Sequence, residues 1–451
     1  MIRDRSVSAV EVVDAHLARI EAVNADVNAV VEVRPEAVRA EARAADAALA
    51  AGADPGPLHG VPFTVKTNID VAGYATTQGA VALRDVMATR DAPTVEKMRA
   101  AGAVMLARTN MPDLGLRVNT ESSLYGATHN PWRRGLTAGG SSGGEAAAIA
   151  TGMSPLGLGN DLGGSLRNPA YACGIASIKP SRHRVGHHNL SAVADPGLHD
   201  QLMTVQGVLA RTVADVREGL DVVKGSHRHD PHAVDAPLEG PEVARRVALV
   251  PEPLGGETHP DVAAAVRAAG RALADAGYDV DEVEPPQLFE AYLAWTELVV
   301  SGLSVEAPLL QLVLGEGGQR FLELTTVDFP PPTGETQYQM HQARYGIARA
   351  WSDFLTDHPL VVGPTWTQPP FALGYDVIDA DTAMKVVETF RFVLPANLLG
   401  LPAACVPTGV AQGLPTGVQV IGATFREDTC LAAAQAVEDA FGVLTPIDPR
   451  G

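Results

Sequence analysis

An α/β domain, a sheet flanked by helices, is the fold class that this sequence predicts, and three patterns predict it. Residues 246–283 read strand, helix, strand: Arg246–Pro251, an apolar-periodic stretch from Asp261 to Ala276, then Tyr278–Val283. Upstream, a strand at Leu58–Lys66 is followed by a helix at Thr94–Ala101 and, beyond Gly102, a strand at Val104–Ala107. The tail returns to strand patterns at Leu360–Gly363, Ala403–Pro407 and Gly417–Gly422, and closes with a helix from Asp428 to Phe441. No internal repeat or low-complexity linker divides residues 1–451, so one large domain is expected.

The remaining elements follow in chain order. Ser8-Ala-Val-Glu11 has the form of a capping box, and Val10, Val13, Leu17 and Ile20 continue it at helical spacing. An alanine-rich helix is expected from Pro35 to about Ala51. A helix-like segment, Glu145–Thr151, separates two glycine–serine runs, Gly139–Gly144 and Asn160–Pro169. Residues 285–355 read as mostly helical, broken at Phe329-Pro-Pro-Pro332.

Composition bounds the function. Hydrophobic residues make up 46% of the chain and charged ones 19%, which suits a globular enzyme with a large core. The 34 Lys and Arg stand against 53 Asp and Glu, for a net charge of −19. Binding to a nucleic-acid backbone or an anionic membrane surface needs clustered cations, so neither partner is expected. Three cysteines without a CxxC spacing point to a reducing cytoplasm rather than a disulfide framework. The N-terminus is amphipathic and acidic, unlike a signal peptide, and no uncharged apolar run reaches the ~18 residues of a membrane span. The histidine-rich loop, with His227, His229 and His232, lacks metal-ligand spacing and reads as a solvated loop, as do His183, His187 and His188.

The chemistry is carried by Ser141 and Ser165, each at the end of a glycine pair. Glycine pairs let the backbone approach a ligand and converge several N–H groups on one point, and a serine there is placed to attack a carbonyl. Neither run fits the Gly-x-Ser-x-Gly elbow of histidine-assisted hydrolases, nor the Gly-Lys-Ser/Thr of a P-loop. The candidate base is Lys66. At the end of an apolar strand its charged form is costly, so its pKa should fall toward neutrality; a half-exposed strand-end lysine is the competing reading. Cys173 reads as a small buried hydrophobe rather than a nucleophile.

Gly139–Gly144, Asp161–Ala170, Cys173-Gly174 and Lys179-Pro180 together resemble the signature of the amidase signature hydrolases. The likeness extends upstream through Gly60–Lys66, Arg108–Pro112 and Asn130–Trp132, and downstream through Asn397–Ala403 and Leu414–Val420. The resemblance implies the amidase signature fold, with a central twisted mixed sheet surrounded by helices. It implies Ser165 as nucleophile, Ser141 as a bridging serine held by a cis peptide, and Lys66 as base. The backbone N–H groups of Leu162, Gly163, Gly164 and Ser165 would form the oxyanion hole, and Asp161 and Arg167 would be structural. Pocket walls are expected from residues 114–119, Gly140 and the loop after Pro364, with Gly115, Arg117 and Trp366 as substrate-contacting candidates. No metal or organic cofactor is required, the substrate is a small-molecule amide, and a homodimer is compatible with the family.

Three functions fit these readings. A stand-alone amide hydrolase needs only the residues named. A glutamine-dependent amidotransferase A-type subunit would also need partner chains and an ammonia channel. A non-catalytic descendant is disfavoured by the intact Lys66, Ser141 and Ser165.

Overall fold

The computed structural model describes residues 1–192 and 195–451. Eleven strands form one sheet. From one edge they run Val30–Val33, Val104–Thr109, Pro62–Lys66, Leu156–Asp161, Val205–Ala210, Ala176–Lys179, Ala403–Ala411, Leu414–Gly422, Leu360–Pro364, Arg246–Leu249 and Asp279–Glu282. Parallel pairs occur toward both ends of this order, where strand–helix–strand units supply neighbours, and antiparallel pairs fill the centre. The sheet is therefore mixed and belongs to a single α/β domain, as expected.

Two helical layers cover it. One face carries Ala9–Val27, Gly143–Ala150, Arg167–Cys173 and Leu288–Val313, packed in one apolar cluster. The other carries Pro93–Ala100, Val213–Val223, Pro260–Asp275 and Glu427–Phe441. Strand alternation sorts residues between the layers. Phe63 and Val65 enter the second cluster, so Thr64 and Lys66 point toward the first, beneath Gly143–Ala150. That alternation puts a lysine inside the protein.

Local signals explain most boundaries. Ser8 caps Ala9–Val27 through a complete capping box with Glu11. The strand expected from Leu58 begins at Pro62, because Leu58 and Gly60 donate their N–H groups to Ala101 and Gly102 instead. The expected break near Phe329–Pro332 separates Glu316–Thr326 from Gly334–Asp357. Leu156–Asp161, Ala176–Lys179 and Val205–Ala210 were not legible as strands. In the first, glycines replace β-formers, because a Cβ at Gly157 would strike the Glu145 side chain and one at Gly159 would lie 2.9 Å from Ser142 Oγ.

Leu288–Val313 is long and apolar enough on average to cross a membrane, but Glu290, Glu297 and Glu306 keep every uncharged run within it short, as expected; here one of its faces lines an internal cavity. The histidine loop is largely solvent-exposed, as expected, with Ser226, Arg228 and His232 on the surface, and its rings pair: those of His183 and His232 lie 5.4 Å apart and those of His188 and His229 5.5 Å apart. Burial holds the His183, His187 and His229 imidazoles below their ordinary pKa, which suits stacking of neutral rings. No cluster among the described residues could hold a metal.

Candidate active site

Three neighbouring segments converge at the strand ends. Pro62–Lys66 delivers Lys66, the parallel strand Leu156–Asp161 delivers Asn160 and the loop 162–165, and the turn before Gly143–Ala150 delivers Ser141. Lys66 is fully buried, and its Nζ donates to Ser141 Oγ at 2.7 Å and to Asn160 Oδ1 at 2.7 Å. Burial lowers its pKa to about 7, although the carboxylates of Asp161 and Glu145 pull the other way. The Gly140–Ser141 peptide is cis. Gly140 admits no side chain, since a Cβ would meet Val118 C at 2.7 Å and Arg117 O at 2.8 Å. Ser165 is partly exposed to the cavity, and its hydroxyl makes no hydrogen bond to Ser141 among the described residues.

The loop 162–165 is shaped from beneath by Asp161. Its carboxylate accepts from Gly164 N at 2.7 Å and Leu166 N at 3.2 Å, and pairs with Arg167, Nε to Oδ2 at 3.0 Å. Burial opposes this charge, but Arg167 and the Asn397 amide hold the carboxyl at about 2. Arg167 is itself held by Val393 O at 2.9 Å, Gln419 Oε1 at 2.9 Å and Asn397 Oδ1 at 2.5 Å. One of the four amides expected to receive the oxyanion is engaged elsewhere. Gly164 N–H is spent on Asp161, while those of Leu162, Gly163 and Ser165 have no intramolecular acceptor among the described residues.

A cavity of about 240 Å³ opens onto Ser165, Leu162 and Gly163. Residues 114–118 form one wall, as expected, and Gly115 stands over Ser141, where a Cβ would lie 3.2 Å from its Oγ. Arg117 also lines the cavity, but its guanidinium is not free. It is held two-pronged by buried Asp376 at 2.8 Å on both arms, and by Glu121 at 3.1 Å. Trp366 is a second correction. It is fully buried behind Asn168, donating to Asn168 Oδ1 at 2.9 Å and stacking on Phe371, and does not line the cavity; nor does Gly140. The aromatic wall is Trp295 instead. Its Nε1 donates to Leu162 O at 3.1 Å, and its ring leaves no room for a Cβ on Gly163.

Asn160, Glu145 and Trp295 are the residues that sequence reasoning passed over. Asn160 could have been found from its place beside Asp161 on a strand paired with that of Lys66. Glu145 is buried and accepts from Thr64 and, at 2.6 Å, from Thr109; burial raises its pKa to about 7. Trp295 sits in a helix whose apolar pattern says nothing about what it faces.

A buried neutralisable lysine beside a serine, at a glycine loop facing a largely apolar cavity, is the equipment of a hydrolase that acts on amides. Residues 11–431 match the Amidase family model, and the chain belongs to that family and is an amide hydrolase. An indoleacetamide hydrolase of Bradyrhizobium diazoefficiens is 40% identical, over 98% of this chain and 85% of that protein. The A-type subunit of a glutamyl-tRNA(Gln) amidotransferase from a Roseiflexus species is 34% identical, over 96% of this chain and 93% of that protein. The structure of 6-aminohexanoate cyclic dimer hydrolase superposes with a TM-score of 0.85 at 28% identity, covering 100% of this chain and 96% of that one.

Proposed function

We propose that the chain hydrolyses small amides with an apolar, aromatic acyl group through a Ser165 acyl-enzyme. The observation that carries this reading is Lys66, buried with a pKa near neutrality and bonded to Ser141. Neutral Lys66 takes the Ser141 proton while Ser141 takes that of Ser165, and Ser165 Oγ attacks the carbonyl carbon. The Ser165 hydroxyl turns toward Ser141 when substrate fills the cavity; catalytic hydrogen bonds commonly tighten only in the complex. The N–H groups of Leu162, Gly163 and Ser165 receive the oxyanion. The relay then reverses to protonate the departing amine or ammonia, and water attacks the ester by the same route. No metal or organic cofactor takes part.

The substrate reading rests on the walls. Trp295, Val299, Leu303, Phe321 and Phe390 offer apolar and aromatic surface. The likeness to an indoleacetamide hydrolase supports an arylacetamide. The amidotransferase reading, which the Roseiflexus relative suggests, asks the cavity to bind glutamine, whose carboxylate needs an unspent cation. Among the described residues Arg117 is the only arginine or lysine on the wall, and it is committed to Asp376. The net charge of −19 and three free, buried cysteines support a cytoplasmic enzyme without a nucleic-acid or membrane partner. The test is ammonia release by the purified chain alone from phenylacetamide, indole-3-acetamide and glutamine. Turnover of the arylacetamides with little from glutamine is expected, and the reverse order would overturn the reading.

A further inference from the structure

Trp295 meets the loop 162–165 with its indole N–H as well as with its ring, and that bond fixes more than one carbonyl. The peptides of this loop are trans. In a trans peptide the C=O of one residue and the N–H of the next point in opposite directions. Whatever holds the Leu162 carbonyl therefore sets the direction of the Gly163 N–H. Among the described residues the Leu162 oxygen has one partner, Trp295 Nε1 at 3.1 Å. The next two carbonyls are held from the helix Arg167–Cys173. Gly163 O accepts from Asn168 Nδ2 at 3.0 Å, and Gly164 O accepts from Asn168 N at 2.6 Å.

The three peptide units are thus held unequally. Between Gly163 and Gly164 both groups are engaged, the oxygen by Asn168 and the N–H by Asp161 Oδ1 at 2.7 Å. On either side of that unit only the oxygen is engaged, which leaves the N–H groups of Gly163 and Ser165 over. Gly164, at φ +96°, supplies the left-handed turn that reverses the chain between them. The Ser165 unit is anchored by backbone only a few residues away. The Gly163 unit depends on a side chain 133 residues further along, on Leu288–Val313. Trp295 is buried, and the missing Gly163 side chain admits its ring: a Cβ there would lie 2.6 Å from Trp295 Cζ2. The same residue lines the cavity beside Ser165.

We propose that Trp295 is a positioning residue of the oxyanion hole. Its indole N–H holds the Leu162–Gly163 peptide so that the Gly163 N–H meets the charge developing on the substrate carbonyl oxygen. This rests on the reading of Ser165 as the nucleophile. A donor aimed at an oxyanion acts in the transition state more than in the ground state, so losing its aim lowers kcat and spares KM. A ring that only walled the cavity would change the binding of both states alike.

The test sets phenylacetamide against benzyl trifluoromethyl ketone, which carries the same benzyl group on an electrophilic carbonyl. Ser165 Oγ adds to the ketone carbon, the hydroxyl proton passes through Ser141 to Lys66, and the carbonyl oxygen becomes the anion of a hemiketal; nothing leaves. Calorimetric binding of phenylacetamide in a Ser165→Ala background reports the ground state, and the inhibition constant of the ketone reports the oxyanion. Both are measured with Trp295 in place, in Trp295→Phe, and with benzothienylalanine at position 295, whose sulfur replaces the N–H within a ring of the same shape. The two replacements should each lose about tenfold or more in kcat and in ketone affinity, with amide binding and KM changed less than about threefold. The ratio is read within each protein, so a lost acyl contact in Trp295→Phe cancels, and the benzothienylalanine protein carries the comparison if Trp295→Phe does not fold. Amide and ketone weakened by the same factor, or neither weakened, overturns the proposal. Fluorine NMR of the bound ketone separates the two layers of argument. A hemiketal that forms equally in Ser165→Ala would overturn the catalytic reading, and one that needs Ser165 but ignores the indole N–H would overturn this proposal alone.

Discussion

In the proposed relay Lys66 has to be buried and still accept a proton, and its surroundings set where that becomes feasible. Burial lowers its pKa from 10.5 to about 7, so kcat/KM should rise with pH up to about 7 and level above it. Lys66→Ala should lose that acidic limb together with most of the rate; a stopped-rate profile from pH 5 to 9 checks both. The same shift has a stability sign. Between about pH 7 and 10.5 the unfolded chain holds the lysine proton and the folded one does not, so this group's contribution to stability rises with pH across that window. Glu145 is the nearby counterweight, since its carboxylate favours the lysine cation. Glu145→Gln should therefore move the limb to lower pH. A limb that stays in place would remove Glu145 from the titration. Ser165→Ala should reduce turnover about 10⁴-fold or more with its melting curve nearly unchanged. Cys173→Ala should remain active, because burial pushes that thiol up and away from the thiolate a nucleophile needs.

At the scale of elements, the Arg117–Asp376 pair ties the wall 114–118 to the turn at Tyr375–Val377. Arg117 is 2% exposed and Asp376 0%, so removing Asp376 leaves the buried guanidinium with the half-exposed Glu121 as its one remaining carboxylate. Asp376→Asn should cost about 3 kcal/mol in chemical denaturation and should raise KM more than it lowers kcat, since the wall and not the relay is loosened. What could be read from sequence at this scale follows from what each element buries. Helices that bury one stripe, such as Ala9–Val27 and Pro260–Asp275, announce themselves by period and cap. The central strand Leu156–Asp161 does not, because its glycines answer to Glu145 and Ser142 above it rather than to strand propensity. Ser141 and Ser165 stand out in the sequence because glycine pairs are local signals, whereas the choice of Lys66 rests on the family resemblance, since its burial depends on strand alternation and on the helix Gly143–Ala150 above it. Trp295 for Trp366, and the spent guanidinium of Arg117, leave no such signal, because both depend on partners far along the chain.

For the whole molecule, the mixed sheet follows from where the strand–helix–strand units fall, toward the two ends of the strand order, with antiparallel and mostly long-range neighbours between them. The sequence predicted the class but not the order, because long-range pairing leaves no local trace. The proposed relay draws only on side chains and backbone amides of this one chain. Activity should accordingly survive dialysis against EDTA, measured as ammonia release before and after. Loss on chelation with recovery on adding zinc would return attention to the histidine stack at His183, His188, His229 and His232.

Arg167 beneath the loop 162–165 takes three of its acceptors from Val393, Asn397 and Gln419, more than 200 residues later. The strand Ala176–Lys179 likewise has Ala403–Ala411 as a neighbour. A ribosome that has released residues 1–180 has therefore made Lys66, Ser141 and Ser165, yet not the groups that hold the loop in shape. The enzyme should stay silent through most of its synthesis and switch on only when the last strands emerge. That timing keeps a reactive serine idle on the nascent chain, and it leaves a long interval in which the unfinished sheet needs protection. A fragment ending at residue 395 should be inactive, and a separately supplied 396–451 peptide restoring turnover would show that the delay lies in these late contacts alone.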